Sequence, residues 1–490
     1  MPELQVNVDV EQLNLDPDKP TVLVVSDSAA IHSGFAQVVR NVFRRLWPKR
    51  KWNIVQFGWW HTKAMESVPW PIVTTKRDPR DPNFVDQADK FGEQSFESVV
   101  GAIKPDLVWV MGDPWMIGPT LQNAHSDTYT KMLYIPVDGA PLIYSWKICE
   151  KADIVVPYLP WGRKMIERWV PDAKVVDHIP HGVDTTVYKP VDPMIRQAIR
   201  KGRCDVGEDD ILILSVGRNQ ARKNLPALIE LMYYIRSGDY RVCPLCGRAT
   251  RNPFDYHLGK PTGEKGYCKN PGCITQNNAG CRMDTMKDGK AHEEVYLYIH
   301  TPIRDLQGHS WRITDLLDAF GLGVPIEDGK GVRYPGFRWN QHLQPVHGMD
   351  EPDMANLYSS ADIFALATIG EGFGLPILES MSCGVPVVVP DVSSHPDFVG
   401  EGGGMLVDIA YHINEPVSSY YRGYPDMDEY LTSLLLLVED GGLRKTLGGA
   451  ARETALKYDW DGIAAKWEAL IDEHIETGKP AKRWHRVTLV

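Results

Sequence analysis

Two glutamates frame a glycine-rich segment, Glu371-Gly-Phe-Gly-Leu-Pro-Ile-Leu-Glu379, an E-x7-E spacing that could serve both anion and hydroxyl binding. The apolar run Ile363-Phe-Ala-Leu366 leads into it. Pro376 stands where a first helical residue belongs, Gly384 where a helix would stop, and Val387-Val-Val389 opens the next strand. Strand, glycine loop, helix and strand form a βαβ unit, and the exposed amides at such a helix N-terminus can hold an anion. A Gly-x-Gly before a helix is otherwise only a tight turn; the two flanking carboxylates set this one apart. A carboxylate aimed at phosphate would repel it, so both glutamates suit sugar hydroxyls beside the anion.

A second strand–loop–helix carries the matching cations. Ile211-Leu-Ile-Leu-Ser-Val-Gly217 is an apolar strand, Gly217-Arg-Asn-Gln-Ala-Arg-Lys-Asn224 breaks it, and a helix is predicted over Leu225–Ile235. Arg218 directly after the strand and Lys223 at the helix mouth supply a guanidinium fork and a point charge. That pair can clamp a diphosphate, or be no more than a solvated charged loop. The N-terminal half repeats the pattern: strand Thr21–Asp27, loop Ser28–Phe35, then Val38, Val39, Val42, Phe43 and Leu46 at helical spacing. Gly34 lets the backbone approach a phosphate closely, or simply makes a turn. Further strands are predicted at 53–57, 106–111, 132–137 and 154–157, with a helix over 161–169. The alternation predicts an α/β fold with parallel sheets. Ligands of such sheets sit beyond the carboxyl ends of strands, which puts Asp113 and Asp138 in position; each, before Pro or Gly, is also an ordinary turn former. Gly58-Trp-Trp-His continuing to Pro71 is aromatic enough to stack on sugars or bases, or to pack on its own domain.

Five of the eight cysteines fall between 243 and 281. Cys243-x2-Cys246, a gap of about twenty residues and Cys268-x4-Cys273 have the spacing of tetrahedral thiolate zinc. Cys281 rivals Cys273 for the fourth place, and His257 is a weaker rival. Four thiolates leave no open coordination position, so this Zn2+ is expected to be structural, either a staple for an insertion or a recognition knuckle. Asp426-Met-Asp428 has the D-x-D form of a metal binder, but it opens a helix, where aspartates cap amides and complement the dipole. Lys482-Arg-Trp-His-Arg486 is a small basic tail.

At 490 residues the chain is expected to form two domains, since one core seldom exceeds about 250–300 residues. Hydrophobic content of 43% with 24% charged residues is that of an ordinary globular enzyme, and a net charge of −11 does not suggest a nucleic-acid-coating surface. There is no transmembrane-length apolar run and no signal-peptide pattern, and the clustered cysteines suit a reducing compartment, so a cytoplasmic protein is expected. The reading divides the chain into an arm at 1–19, an N-terminal domain at 20–190, a linker at 191–205 and a C-terminal domain at 206–460. A Cys-rich insertion occupies 238–292, and a helix and tail at 461–490 are expected to pack back on the N-terminal domain.

Ser215-Val-Gly-Arg-Asn-Gln-Ala-Arg-Lys-Asn224, Ile179-Pro-His-Gly-Val-Asp184 and the E-x7-E of Glu371–Glu379 resemble the retaining glycosyltransferases of family 4. The resemblance covers roughly 20–240 and 293–475; the cysteine insertion departs from it. It implies a GT-B fold, with two Rossmann-like domains facing a central cleft, here with a small zinc-knuckle insertion in the C-terminal domain. It also implies a nucleotide-diphospho-sugar as co-substrate. The N-terminal domain would take the acceptor and the C-terminal domain the donor. By position, Arg218 and Lys223 would hold the diphosphate, with Gly34 approaching it, and Glu379 would bind the ribose. Glu371, with the amides of Gly372, Phe373 and Gly374, would hold the transferred sugar. Asp138 falls where many members carry a His or Asp near the reacting centre. No catalytic metal is expected. The hydroxyl acceptor (glycan, lipid, small molecule or nucleic acid) stays open. So do two other readings: a transferase acting on a modified base with the zinc knuckle as reader, and a non-catalytic nucleotide-sugar or nucleic-acid binder.

Overall fold

A computed structural model describes residues 13–61, 67–78, 81–255, 260–264, 268, 270, 285–302, 310–325, 332–339, 349–415 and 419–477. The chain divides into two compact units. One comprises Met1–Gly182, Val417–Tyr420 and Tyr458–Val490, the other Val183–Pro416 and Tyr421–Lys457.

The first unit is built on six strands: β1 (Thr21–Asp27), β2 (Asn53–Trp59), β3 (Ile72–Thr74), β4 (Leu107–Met111), β5 (Thr130–Ile135) and β6 (Ile154–Pro157). They lie in the order β3-β2-β1-β4-β5-β6, all parallel. Every residue of β1, β4 and β5 is buried, which is why these segments read as continuous apolar runs rather than alternating ones. Helix α1 (Gly34–Leu46) follows β1. Its Ser33 cap accepts from Ala36 N at 3.1 Å, and Val38, Val39, Val42, Phe43 and Leu46 are buried along one face. The strand order reverses between β1 and β4, and such a reversal opens a crevice at the carboxyl ends of the strands.

The helix Trp460–Thr477 belongs to this unit. It buries Trp460, Ile463, Ala464, Trp467 and Ile471, a helical stripe. Trp467 is fully buried, with its ring 5.4 Å from that of Trp109 and 4.7 Å from that of Tyr134. Exposed ion pairs surround the contact, Arg45 with Asp461, Lys49 with Glu468, and Lys51 with Glu468 and Asp472. Pairs this wet contribute little, so the indole carries the attachment. Replacing Trp467 by Phe should lower unfolding stability by about 1–3 kcal/mol, read as a lower urea midpoint with unchanged slope.

The second unit repeats the plan with β7 (Ile211–Val216), β8 (Val295–His300), β9 (Phe337–Trp339), β10 (Ile363–Ala365), β11 (Val387–Pro390) and β12 (Gly404–Val407). Their order is β9-β8-β7-β10-β11-β12, again parallel throughout. Helix α2 (Leu225–Ser237) follows β7, α3 (Leu375–Ser382) follows β10, and α4 (Met427–Glu439) packs beneath the sheet. Residues 191–205, expected as a linker, carry a helix at Pro193–Ile199 and a π-helical turn at Arg200–Cys204, both within this unit. Arg200 is 1% exposed and donates to Asp362 Oδ2 at 2.9 Å and to the carbonyls of Ser360, Gly207 and Asp210. Those bonds hold the turn against the start of the sheet.

Inside the 238–292 segment, Tyr240–Val242 pairs antiparallel with Ala249–Arg251 and with Lys287–Asp288. Asp426 caps α4 by accepting from the amides of Asp428 and Glu429, both at 3.0 Å, and pairs with Arg248. Asp428 pairs with Arg251 at 2.8 Å. These aspartates therefore cap a helix and tie the insertion to it.

Candidate functional site

In the second unit, the loops after β7 and β10 flank the strand-order reversal, so their side chains converge where parallel sheets bind ligands. The first loop tightens into a 3-10 turn at Ala221–Lys223, and Asn224, in the left-handed region at φ 49°, opens α2. Asn219 is buried and trades hydrogen bonds with the Trp311 backbone, one in each direction, both at 2.9 Å. The two loops are stitched together through Arg222. Its carbonyl accepts from Ile369 N at 2.9 Å and Thr368 Oγ1 at 3.1 Å, and its guanidinium donates to Gly370 O at 2.9 Å.

The second loop ends at Gly374, φ +98°, which opens α3. A side chain is disfavoured there both by the backbone and by Ile377 Cδ1, which a Cβ would meet at 2.9 Å. Glu371 is 5% exposed; its amide donates to Ser393 Oγ at 2.9 Å, while Ser394 Oγ donates to the carbonyls of Glu371 and Phe373, both at 3.0 Å. Phe373 stacks on Phe398 with ring centroids 5.2 Å apart. The loop is thus held from behind by the segment after β11.

The structure brings Lys223 and Glu371 into direct contact. The Lys223 ammonium pairs with Glu371 Oε1, and Arg222 reaches Glu371 Oε2 at 2.8 Å. Burial alone would raise the Glu371 carboxyl, but the two cations outweigh it and hold the group well below the usual carboxylate range. A buried anion between two cations leaves a net positive site next to the α3 N-terminus, which suits an anionic ligand. Arg222 was missed by the sequence reading, which chose Arg218 and Lys223 on either side of it. Arg218 is exposed on the same loop.

Glu379, in α3, is 6% exposed and accepts from Tyr358 Oη at 2.7 Å. Burial, then the Glu379 charge, pushes the Tyr358 and Tyr188 hydroxyls well above their ordinary range, so they stay donors. His395 is fully buried, and burial drives its imidazole down to about 4. Its Nδ1 donates to Pro390 O at 2.8 Å, and its Nε2 has no hydrogen-bond partner among the described residues. Ser393, Ser394 and His395 had no sequence signal, because their role comes from a loop twenty residues away folding back.

In the first unit, Gly34 is the exposed first residue of α1, and a Cβ there would meet nothing within 4 Å. Ser33 Oγ donates to Asp27 Oδ2 at 2.6 Å, and Ser28 Oγ shares a proton with His61 Nδ1 at 2.7 Å, fixing the loop after β1. Asp138 lies half-buried beyond β5. The Gly139 beside it lies under the Tyr420 ring, which a Cβ there would meet at 2.6 Å. Tyr420 in turn accepts from Trp146 Nε1 at 2.7 Å.

The Sγ atoms of Cys243, Cys246 and Cys268 lie within 4.8 Å of one another, and those of Cys246 and Cys268 are 3.6 Å apart. Tetrahedral zinc with sulfur at about 2.3 Å needs sulfurs roughly 3.8 Å apart, so the three thiols fit it. Gly247, at φ +72°, closes the turn by donating to Cys243 O at 2.9 Å. Cys273, Cys281 and His257 lie outside the described residues.

Comparison with known proteins agrees with this geometry. The family model described as glycosyl transferases group 1 matches residues 330–414, which include the E-x7-E segment. The O-antigen chain mannosyltransferase B of Escherichia coli is 53% identical over 237 residues, 44% of this chain and 54% of that protein. The sulfoquinovosyl transferase SQD2 of Arabidopsis thaliana is 31% identical over 114 residues, 23% of this chain and 20% of that protein. The chain thus spans about half the length of the first of these relatives and a fifth of the second. Among solved structures, sucrose-phosphate synthase from Thermosynechococcus elongatus superposes with a TM-score of 0.64 at 16% identity, over 94% of this chain and all of that one. Anabaena Alr3699/HepE, in complex with UDP and glucose, gives 0.59 at 13% identity, over 93% of this chain and all of that one. At such identities the likeness shows the fold, which is GT-B, with a parallel Rossmann-like sheet in each of two domains.

Proposed function

We propose that the chain is a retaining glycosyltransferase of the family 4 type, moving a hexosyl or pentosyl group from a nucleotide-diphospho-sugar to a hydroxyl acceptor. The observation that carries this reading is the Arg222–Lys223–Glu371 cluster beside the α3 N-terminus, at the strand-order reversal of the second unit. In the reaction the bond between the anomeric carbon and the β-phosphate oxygen breaks, and a bond from the acceptor oxygen forms on the same face. The acceptor proton passes to the departing diphosphate. Negative charge grows on that leaving group, and cations and helix amides already in place stabilise it without reorganising.

In this reading Arg218 and Lys223 hold the diphosphate, Arg222 steadies Glu371, and Glu379 meets the ribose. Glu371 and the amides of Gly372, Phe373 and Gly374 hold the transferred sugar. Gly34 and Asp138 act from the first unit, Asp138 near the reacting carbon. The reaction as proposed asks nothing of the zinc, whose part is to hold the insertion. Among the described residues no helix is long and apolar enough to cross a membrane; a cytoplasmic location is proposed from the clustered thiols.

The structural neighbour Anabaena Alr3699/HepE, crystallised with UDP and with UDP-glucose, makes UDP-sugars the first donors to try. A donor at a hundred times its Kd stabilises the native state by about 2.7 kcal/mol, which a thermal-shift screen of UDP-, GDP- and ADP-sugars reads as a rise of several degrees. The same donor should be slowly hydrolysed without acceptor. A screen in which no nucleotide-sugar stabilises the chain or is cleaved would sink the proposal.

A further inference from the structure

Between the first unit's sheet and solvent lies an aromatic array that the donor site does not use. Phe91, 1% exposed, is met edge-on by Trp59 at 5.4 Å, Trp60 at 5.6 Å and Trp115 at 5.2 Å. Trp59 is buried and anchors the group, whereas Trp115 is 65% exposed. The turn that presents it is fixed, with Met116 N donating to Asp113 O at 2.9 Å. Trp60 sits in the left-handed region at φ 58°, a conformation disfavoured for a bulky residue and one that collects at ligand-binding positions. An indole kept in water on a rigid base, with strained backbone beside it, is placed for a ligand rather than for the core.

The chemistry of the neighbours narrows the ligand. Trp60 follows β2 and Trp115 follows β4, on either side of β1, at the carboxyl edge of the sheet. Asp113, two residues before Trp115, and Asp138, beyond the adjacent β5, are both half-buried carboxylates at that edge. Among the described residues Lys90 adds a cation, its ammonium 5.2 Å over the Phe91 ring. An aromatic face takes the C–H side of a sugar ring, and carboxylates accept from its hydroxyls. A phosphodiester backbone would be repelled by the same two carboxylates. A lipid chain would find, among the described residues of the shelf, a single wide-open indole, that of Trp115.

We infer that the Trp60–Phe91–Trp115 shelf is a stacking subsite for a neutral saccharide, and that the acceptor is a glycan rather than a nucleic acid or a lipid. The location rests on the glycosyltransferase reading; the stacking itself does not. The test is saturation-transfer NMR on the full chain with methyl α-mannoside and an α-linked mannotriose, alongside a ten-residue oligothymidylate. Trp115→Ala should weaken mannotriose about tenfold, equivalent to about 1.4 kcal/mol, and Trp115→Phe should keep most of the binding. Trp169→Ala, on an exposed indole elsewhere, should match the wild type. No mannotriose binding by the wild type, or equal binding by Trp115→Ala, overturns the inference. So does oligothymidylate binding that Trp115→Ala abolishes. Donor hydrolysis by the wild type is read separately. A chain that hydrolyses donor but binds saccharide without Trp115 loses only the shelf. One that stacks saccharide on Trp115 but cleaves no donor loses only the reaction.

Discussion

Replacing Lys223 by alanine should lower kcat/KM for transfer by two to three orders of magnitude, the usual effect of removing one preorganised group that faces growing charge (about 10²–10³). Lys223 is 6% exposed, and its Cε lies 3.4 Å from where a Cβ on Gly217 would stand, so the ammonium occupies a confined slot. Removing it leaves Glu371 buried with Arg222 alone. Breaking a buried pair outright costs about 3–5 kcal/mol; with one partner kept, the chain should lose less than that and stay folded at 25 °C. Two readouts separate the roles. If Lys223 serves the leaving group, kcat falls far more than donor KM rises, and Lys223→Arg rescues poorly because the fork does not fit the slot. If it only neutralises Glu371, Lys223→Ala raises donor KM and lowers stability while kcat is largely kept. Near-wild-type turnover by Lys223→Ala with intact folding would remove the proposed catalytic site.

The second large effect concerns metal. Protein purified without chelator should contain about one equivalent of zinc, and Cys243→Ser with Cys246→Ser should contain none. Structural zinc on thiolates binds with about 10–16 kcal/mol in isolated knuckles, so its loss should unfold the turn at Cys243–Gly247 outright. The effect should stop there. Arg248 and Arg251 tie the insertion to Asp426 and Asp428 of α4, while the six-stranded sheet and its core close without the cysteines. Limited proteolysis should therefore cut within 238–292 after chelation while donor-induced stabilisation persists. Zinc-free protein with an uncleaved insertion would refute the knuckle. Lost donor binding would show that the insertion shapes the site.

The central strands were legible because parallel strands buried on both faces leave unbroken apolar runs. Thr21–Asp27, Leu107–Met111 and Ile211–Val216 fall where those runs predict strands. The α3 start was legible from Pro376 in its first turn, and Gly384 ends α3 at φ +74°. The edges were not. Ile72–Thr74 and Phe337–Trp339 are three residues each, pair on one side only, and carry no apolar run, yet they complete both strand orders. The ribbon Ile409–Asn414 with Tyr421–Pro425 escaped for a related reason: much of it is exposed. At the site, residue types pointed to the loops but not to their pairing. Lys223 and Glu371 are 148 positions apart, and only the β7–β10 adjacency brings them together. Arg222 passed for loop charge because nothing local marks a side chain that stitches a distant turn.

The discontinuity of the first unit bears on how the polypeptide matures. Its sheet is made by Met1–Gly182, but the helix that covers Trp109 and Tyr134 comes from Tyr458–Val490. At the usual ribosomal rate of about 5–20 residues per second, the intervening stretch takes tens of seconds to synthesise. Throughout that interval the nascent first unit presents an uncovered aromatic face, while the second unit has all its strands to hand and can close behind it. The domain begun first is thus finished last, and chaperone demand during translation should centre on the Trp109 surface.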